Sequence, residues 1–378
     1  MKVILHIGTH KTGTSSIQTI LAANRDALAS RGIYYPENRY SNRNVNFIGR
    51  DLAAKRYDEP AQYIKNSLKK ARVSGCDTLL LSGESFYAMM GMFYLLQGFQ
   101  VEDYWAQEEE AVRALSGMLE GVEVKVCCYV RRQDLFLDSL YNQFVKQSPG
   151  YAGDLNTFIR LSGPVADYAA HLDLWARIFG KEAIFAASYD ALKGDLFQDF
   201  ASRALGFDDV SGFKSPPQRI NERLPTDLLL FKRILNRIEM PRAEGYMAYR
   251  TVARMAQSET GSASKGLSIS DEERDALLKA HEDGNARVAK DYLHLGTSLL
   301  FERPVPSKVE IQAVTLSVER GLELYMRFRR EMNRPSARFE LVLRKTVRWA
   351  LVKAPWLESL LGGVRKINNR RNAKREWR

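Results

Sequence analysis

The sequence lacks a run of apolar residues approaching the ~20 needed to cross a bilayer. Its opening apolar stretch, Val3 to Ile7, is too short for the core of a secretory leader. Neither a membrane span nor a signal peptide is expected, and a cytoplasmic location is. Cysteine is scarce. Cys76, Cys127 and Cys128 form neither a disulfide framework nor a metal-ligand spacing, so a reducing compartment fits, and the vicinal pair is expected as buried strand residues. No internal repeat is found. The main body also lacks an excess of one charge. Net charge is +11, but residues 335–378 hold 12 Lys/Arg against 3 Asp/Glu, leaving 44 against 42 before them. The basicity therefore belongs to a tail, and a nucleic-acid partner is not expected.

At 378 residues the chain can bury one large core, or one core and a small appendage. Short apolar runs alternate with helical spacing. Val3 to Ile7, Thr78 to Ser82, Val122 to Val130 and Ala183 to Ala187 read as strands, the first as a buried parallel one and the second as buried. Ile17, Ile20, Leu21 and Leu28, at offsets 0, 3, 4 and 11, predict one helix ending at Gly32. Further helices are expected at 60–74, 103–119, 131–147, 154–161, 165–179 and 194–205, and 222–300 reads as mainly helical. Residues 37–60 lack periodicity and are expected as a loop over the site; 87–100 are expected as an apolar wall or lid. The alternation predicts an α/β fold with a parallel sheet covered on both faces and a helical C-terminal part. The expected organisation is a domain over 1–300, a helical connector over 301–334 and a basic amphipathic tail over 335–378.

Between the first strand and first helix lies Gly8-Thr-His10-Lys11-Thr12-Gly13-Thr14-Ser15-Ser16. A glycine-rich turn entering a helix presents backbone N–H groups and the positive end of the helix dipole to an anion. Lys11 adds a charge; Thr12, Thr14, Ser15 and Ser16 add hydroxyls. In the nucleotide-hydrolase loop, G-x-x-x-x-G-K-[ST], the lysine follows the second glycine. Here it precedes it. This arrangement resembles the 5′-phosphosulfate loop of sulfotransferases that use 3′-phosphoadenosine 5′-phosphosulfate (PAPS). A second stretch carries the resemblance further. Arg131 ends the strand at Val130, and Ser139 follows eight positions later, the spacing at which this family holds the 3′-phosphate of PAPS; Arg132 is one residue out of register. The pattern covers roughly residues 1–210.

The resemblance implies a nucleotide-kinase-like α/β fold, PAPS as sulfuryl donor, no required metal, and a hydroxyl of a carbohydrate or glycolipid as acceptor. Lys11 and the amides of 12–15 would meet the charge that grows on the leaving 5′-phosphate. For the base that takes the acceptor's proton, Glu84 directly follows the Thr78–Ser82 strand, where α/β sheets bind ligands. His10 is the competing candidate, with an imidazole of suitable unperturbed pKa. His6, alternating inside the first strand, is expected in the core. A late basic glycine loop of the family has one remote counterpart, Lys265-Gly266. The segment 338–378 mixes Trp349, Trp356 and aliphatic residues with Arg344, Lys345, Arg348 and Lys353, which suits an anionic membrane surface. Two other readings stay open: a kinase using the same cradle for ATP–Mg²⁺, and a non-catalytic binding protein.

Overall fold

The computed structural model describes residues 1–378 except 39, 42, 95–100, 193–195, 216–222, 259–268, 295–298, 303–314, 339 and 343–378. Strands β1 (Lys2–His6), β2 (Ile33–Tyr34), β3 (Thr78–Ser82), β4 (Glu123–Val130) and β5 (Ile184–Ser188) form one parallel sheet in the order β2-β3-β1-β4-β5. Central β1 places Leu5 between Leu81 and Val126, and His6 between Ser82 and Cys127. Continuous apolar sequence is what a strand covered on both faces requires, and Leu79 to Leu81 and Val126 to Val130 are buried, including Cys127 and Cys128. The chain leaves β1 toward β2 and β3, then crosses to β4 on the other side. A crevice at the carboxyl end of β1 is therefore flanked by the loops after β3 and β4.

Helix α1 (Thr14–Ala23) packs Ile17, Ile20 and Leu21 on the sheet face that carries Ile4, Leu80 and Tyr129. The single helix expected to run to Gly32 is broken into α1 and α2 (Arg25–Ala29). Asn24 is the reason. Its side-chain amide donates to the carbonyls of Ile20 and Lys214, and its Oδ1 accepts from the Lys214 amide, a local competition that interrupts helical pairing.

The expected loop over 37–60 instead contains α3 (Asn46–Ala53) and the start of α4 (Asp58–Val73). Phe47, Ile48 and Leu52 give α3 a buried side; eight residues is too short for that periodicity to stand out. Gly49 lets α3 lie close to the turn after β3, since a Cβ there would meet the Ser85 carbonyl at 2.6 Å. Then come α5 (Met89–Tyr94) and α6 (Val101–Gly117), whose buried Glu108 accepts from the Met89 and Met90 amides at 3.0 and 2.8 Å. Burial pushes that carboxyl up to about 8. After β4 come α7 (Gln133–Lys146), α8 (Leu155–Leu161), α9 (Gly163–Ala166) and α10 (Tyr168–Phe179). Helix α11 (Leu196–Phe200) follows β5 and continues as a wider π-type turn to Leu205.

The remaining helices are α12 (Thr226–Leu235), α13 (Arg242–Gln257), α14 (Asp271–Ala280), α15 (Glu282–Asp291) and α16 (Val318–Met332). The chain forms two compact units that interleave along the sequence. One comprises the described residues of Met1–Leu140, Asp154–Asn221 and Ile269–Glu310; the other those of Tyr141–Gly153, Glu222–Ser268 and Ile311–Arg378. Consecutive boundaries near 300 and 334 do not follow this partition, because α16 packs with α12 and α13. Phe328 meets Phe231 edge to face at 5.8 Å, and the Arg320 guanidinium binds Asp227. Lys265, Gly266, Trp349 and Trp356 lie outside the described residues.

Candidate active site

The loop after β1 is fixed to β4. The Ile7 amide donates to Cys127 O at 3.0 Å, and the Thr9 amide and hydroxyl donate to Tyr129 O at 3.3 and 2.8 Å. The chain then turns through three positive φ values: Gly8 at 45°, Lys11 at 67° and Gly13 at 74°. Glycine is required at 13 twice over, since a Cβ would also approach Leu196 to 2.3 Å. Lys11 has no such licence. A left-handed conformation costs an L-residue about 1–2 kcal/mol, and such cost persists where the surroundings impose it.

The hydroxyls of the turn differ in their partners. Thr12 and Thr14 turn theirs onto the Thr9 carbonyl, at 2.7 and 3.4 Å, and both residues are buried. They brace the turn. Ser15 is exposed and Ser16 half-buried. Among the described residues, no protein acceptor meets the backbone amides of Thr12, Gly13, Thr14 and Ser15. A turn of alternating handedness aims such amides toward one concavity.

Arg131 reaches this turn across 120 residues: its Nη1 donates to Lys11 O at 3.2 Å. Its Nε lies 3.7 Å from Asp190 Oδ1, and the guanidinium stacks over Tyr189 at 5.6 Å. One hydrogen bond and one loose ion pair leave most of the fork's five N–H donors for a ligand. Arg132 is committed elsewhere, with Nε and Nη2 clamping the buried Asp134 carboxylate at 2.8 and 3.0 Å. Arg131, and not Arg132, contacts the turn. Ser139 is half-buried on α7, and no hydrogen bond ties it to Arg131 or the loop among the described residues.

Glu84 opens a short 3-10 turn after β3. Gln18, one turn into α1, donates to its Oε2 at 2.9 Å and to Ser82 Oγ at 3.3 Å, while Asn44 holds the Gln18 carbonyl at 3.3 Å. Burial alone would raise the Glu84 carboxyl. The field of His10 and hydrogen bonds from Gln18, its own amide and Asn46 reverse this, so it titrates below its ordinary range. His10 is buried, and among the described residues its Nε2 has no hydrogen-bond partner. Burial lowers its pKa; Glu84 opposes and Lys11 reinforces that shift. His10, Lys11 and Glu84 thus share one electrostatic neighbourhood, with the imidazole neutral and the carboxylate ionised near pH 7. His6 lies in the core as expected, its Nδ1 2.8 Å from Ser82 Oγ, and burial pushes it down to about 4.

Sequence reasoning missed Gln18, Asn44, Asn46 and Asp190. Gln18 did leave a trace: it is a polar residue inside the apolar stripe of α1, adjacent to Ile17. Asn44 and Asp190 lie outside helices and strands, and Asn46 opens the short helix α3, so no periodicity marks the side that matters.

No protein-family model and no curated protein sequence matches the chain. Among solved structures it is similar to a sulfotransferase from Alicyclobacillus acidocaldarius, at 13% sequence identity and a TM-score of 0.35, over 65% of this chain and 98% of that one.

Proposed function

We propose that the chain is a sulfotransferase that moves the sulfuryl group of PAPS to a hydroxyl of a carbohydrate or glycolipid. The observation that supports this best is the Arg131–Lys11 contact. It brings a forked cation from the end of β4 to a turn whose lysine precedes its second glycine. Unpaired amides at 12–15 fit a 5′-phosphosulfate, and the remaining Arg131 donors fit a second phosphate on the same nucleotide. Ser139 is proposed as a further donor to that phosphate, its hydroxyl engaged once ligand is bound.

Lys11 and the loop amides would then stabilise the charge developing on the leaving 5′-phosphate oxygen. Glu84 would accept the proton of the acceptor hydroxyl, its carboxylate held ionised and oriented by Gln18. His10 is the alternative proton acceptor; its buried, unpartnered Nε2 fits a group that engages only when substrate is present. A sulfuryl group carries less charge than a phosphoryl group, so this set of donors is proposed to work without a metal. Carbohydrate or glycolipid as acceptor follows from the family resemblance of the loop and the Arg131 region. The basic segment 338–378 is proposed to contact an anionic membrane surface at the inner face.

Incubating the full chain with ³⁵S-labelled PAPS and a glycan and glycolipid panel, with and without EDTA, tests the assignment. Labelled product formed with EDTA present is expected. Consumption of ATP–Mg²⁺ with no turnover of PAPS would replace the sulfotransferase with a kinase. Binding of 3′-phosphoadenosine 5′-phosphate (PAP) without turnover of any acceptor would favour a non-catalytic role.

A further inference from the structure

The second compact unit carries a cleft of its own, about 860 Å³, between the C-terminal part of α12 and the first turns of α13. That volume is in the range of small-molecule sites. Its lining includes Pro149, Leu235, Ile238, Met240 and Ala248, together with Lys232. Lys232 is 3% exposed. Its Nζ donates to Gln147 O at 3.2 Å and to Asn236 Oδ1. Asn236 cannot turn away, because its amide nitrogen is held by Val145 O and Tyr151 O at 2.9 and 2.8 Å.

Both partners of Lys232 are neutral. Among the described residues no carboxylate pairs with it, and burial alone pushes its pKa down to about 8. The group is therefore largely an ammonium at pH 7, with a third N–H donor unused. A buried cation without a counter-ion is expensive, and the negative end of α7, at Gln147, offsets only part of that. Two other charged residues line the cleft, Glu239 and Arg242; both are exposed, and opposite in sign. Arg242 also begins α13, so the positive end of a 16-residue helix borders the same space.

We propose that this cleft is a second ligand site, for an amphipathic anion whose apolar body lies against Leu235, Ile238 and Met240 and whose carboxylate or sulfate ester pairs with Lys232. A charged hydrogen bond of this kind is worth about tenfold or more in affinity. The proposal does not depend on the transfer reaction.

The test is calorimetry of the full chain with 2-naphthoate, 2-naphthyl sulfate and the neutral 2-naphthalenemethanol, at pH 7 and 9.5, with saturating PAP. At least one anion is expected to bind about tenfold tighter than the alcohol. That advantage should shrink at pH 9.5, where the probes stay charged and Lys232 loses its proton. Comparing the two anions distinguishes carboxylate from sulfate ester. Lys232→Met should bring anion affinity to that of the alcohol. Ile238→Glu, at a position 55% exposed and so harmless to folding, should weaken the anion and spare the alcohol. Binding persists in Lys11→Ala if the cleft is the site. Equal affinity for anion and alcohol, no change with pH, no effect of Ile238→Glu, or no binding at all would reduce Lys232 to a structural staple for the end of α7.

Discussion

Lys11 holds a backbone conformation that suits glycine, and that separates its structural effect from its chemical one. Replacing it by glycine and by alanine deletes the same ammonium, so comparing the two variants cancels the side chain. At a φ of 67° alanine keeps the left-handed cost of about 1–2 kcal/mol, which glycine escapes. Glycine gives back about 0.4–1 kcal/mol through the greater freedom of its unfolded chain. Lys11→Gly should thus be more stable than Lys11→Ala by about 0.8 kcal/mol. That corresponds to roughly 2–3 °C in the melting temperature of a unit this size, which scanning fluorimetry resolves. In the transfer assay both variants should lose about 100- to 1,000-fold, the loss on removing one preorganised stabiliser of a developing oxyanion. If Lys11→Ala were as stable as Lys11→Gly, the strain at this turn would be absent. If either retained turnover within about threefold, Lys11 would have no part in the chemistry.

Glu84→Gln should leave PAP affinity, measured by calorimetry, unchanged and cut turnover by about 100- to 10,000-fold, the span of general-base contributions. The sign of the pH dependence follows from a carboxyl held below its ordinary range. Its stabilising contribution is present above the unfolded value of about 4.5 and is lost as pH falls through the folded value. Turnover should be flat with respect to this group from pH 6 to 8, with an acid limb below that. Gln18→Leu, which removes the donor on Oε2, should move that limb to higher pH in a pH–rate profile. An unmoved limb would take Gln18 out of the base's support. For the tail, full-length chain should co-sediment with anionic liposomes and residues 1–334 alone should not. Equal pelleting of both would end the membrane assignment.

The sheet and cradle were legible because each is local. A five-residue apolar run followed by Gly8 and Gly13 specifies strand, turn and helix in one short stretch, and Cys127 and Cys128 read as buried for the same reason. The pairing of Lys11 with Arg131 was legible only through the register of the family resemblance; nothing in spacing alone distinguishes Arg131 from Arg132. Geometry does, by spending Arg132 on Asp134. What stayed hidden was carried by single polar residues: Asn24 splitting a helix whose apolar offsets ran straight through it, and Gln18 clamping Glu84 from within an apolar stripe. The partners of the loop hydroxyls stayed hidden for a related reason. Composition shows that Thr12 and Thr14 can donate, but not that the Thr9 carbonyl claims them first. The interleaving of the two units had no signature either, because the contacts of α16 with α12, Phe328 on Phe231 and Arg320 on Asp227, join segments about 90 residues apart.

The most direct test is the affinity of Arg131→Met for PAP and for adenosine 5′-monophosphate, which lacks the 3′-phosphate. Losing one or more charged hydrogen bonds worth about 1.5–3 kcal/mol should weaken PAP by roughly 10- to 150-fold. Binding of the monophosphate, held by the Lys11 turn, should change by less than about threefold. Equal losses for both nucleotides, or no loss of PAP, would contradict the account.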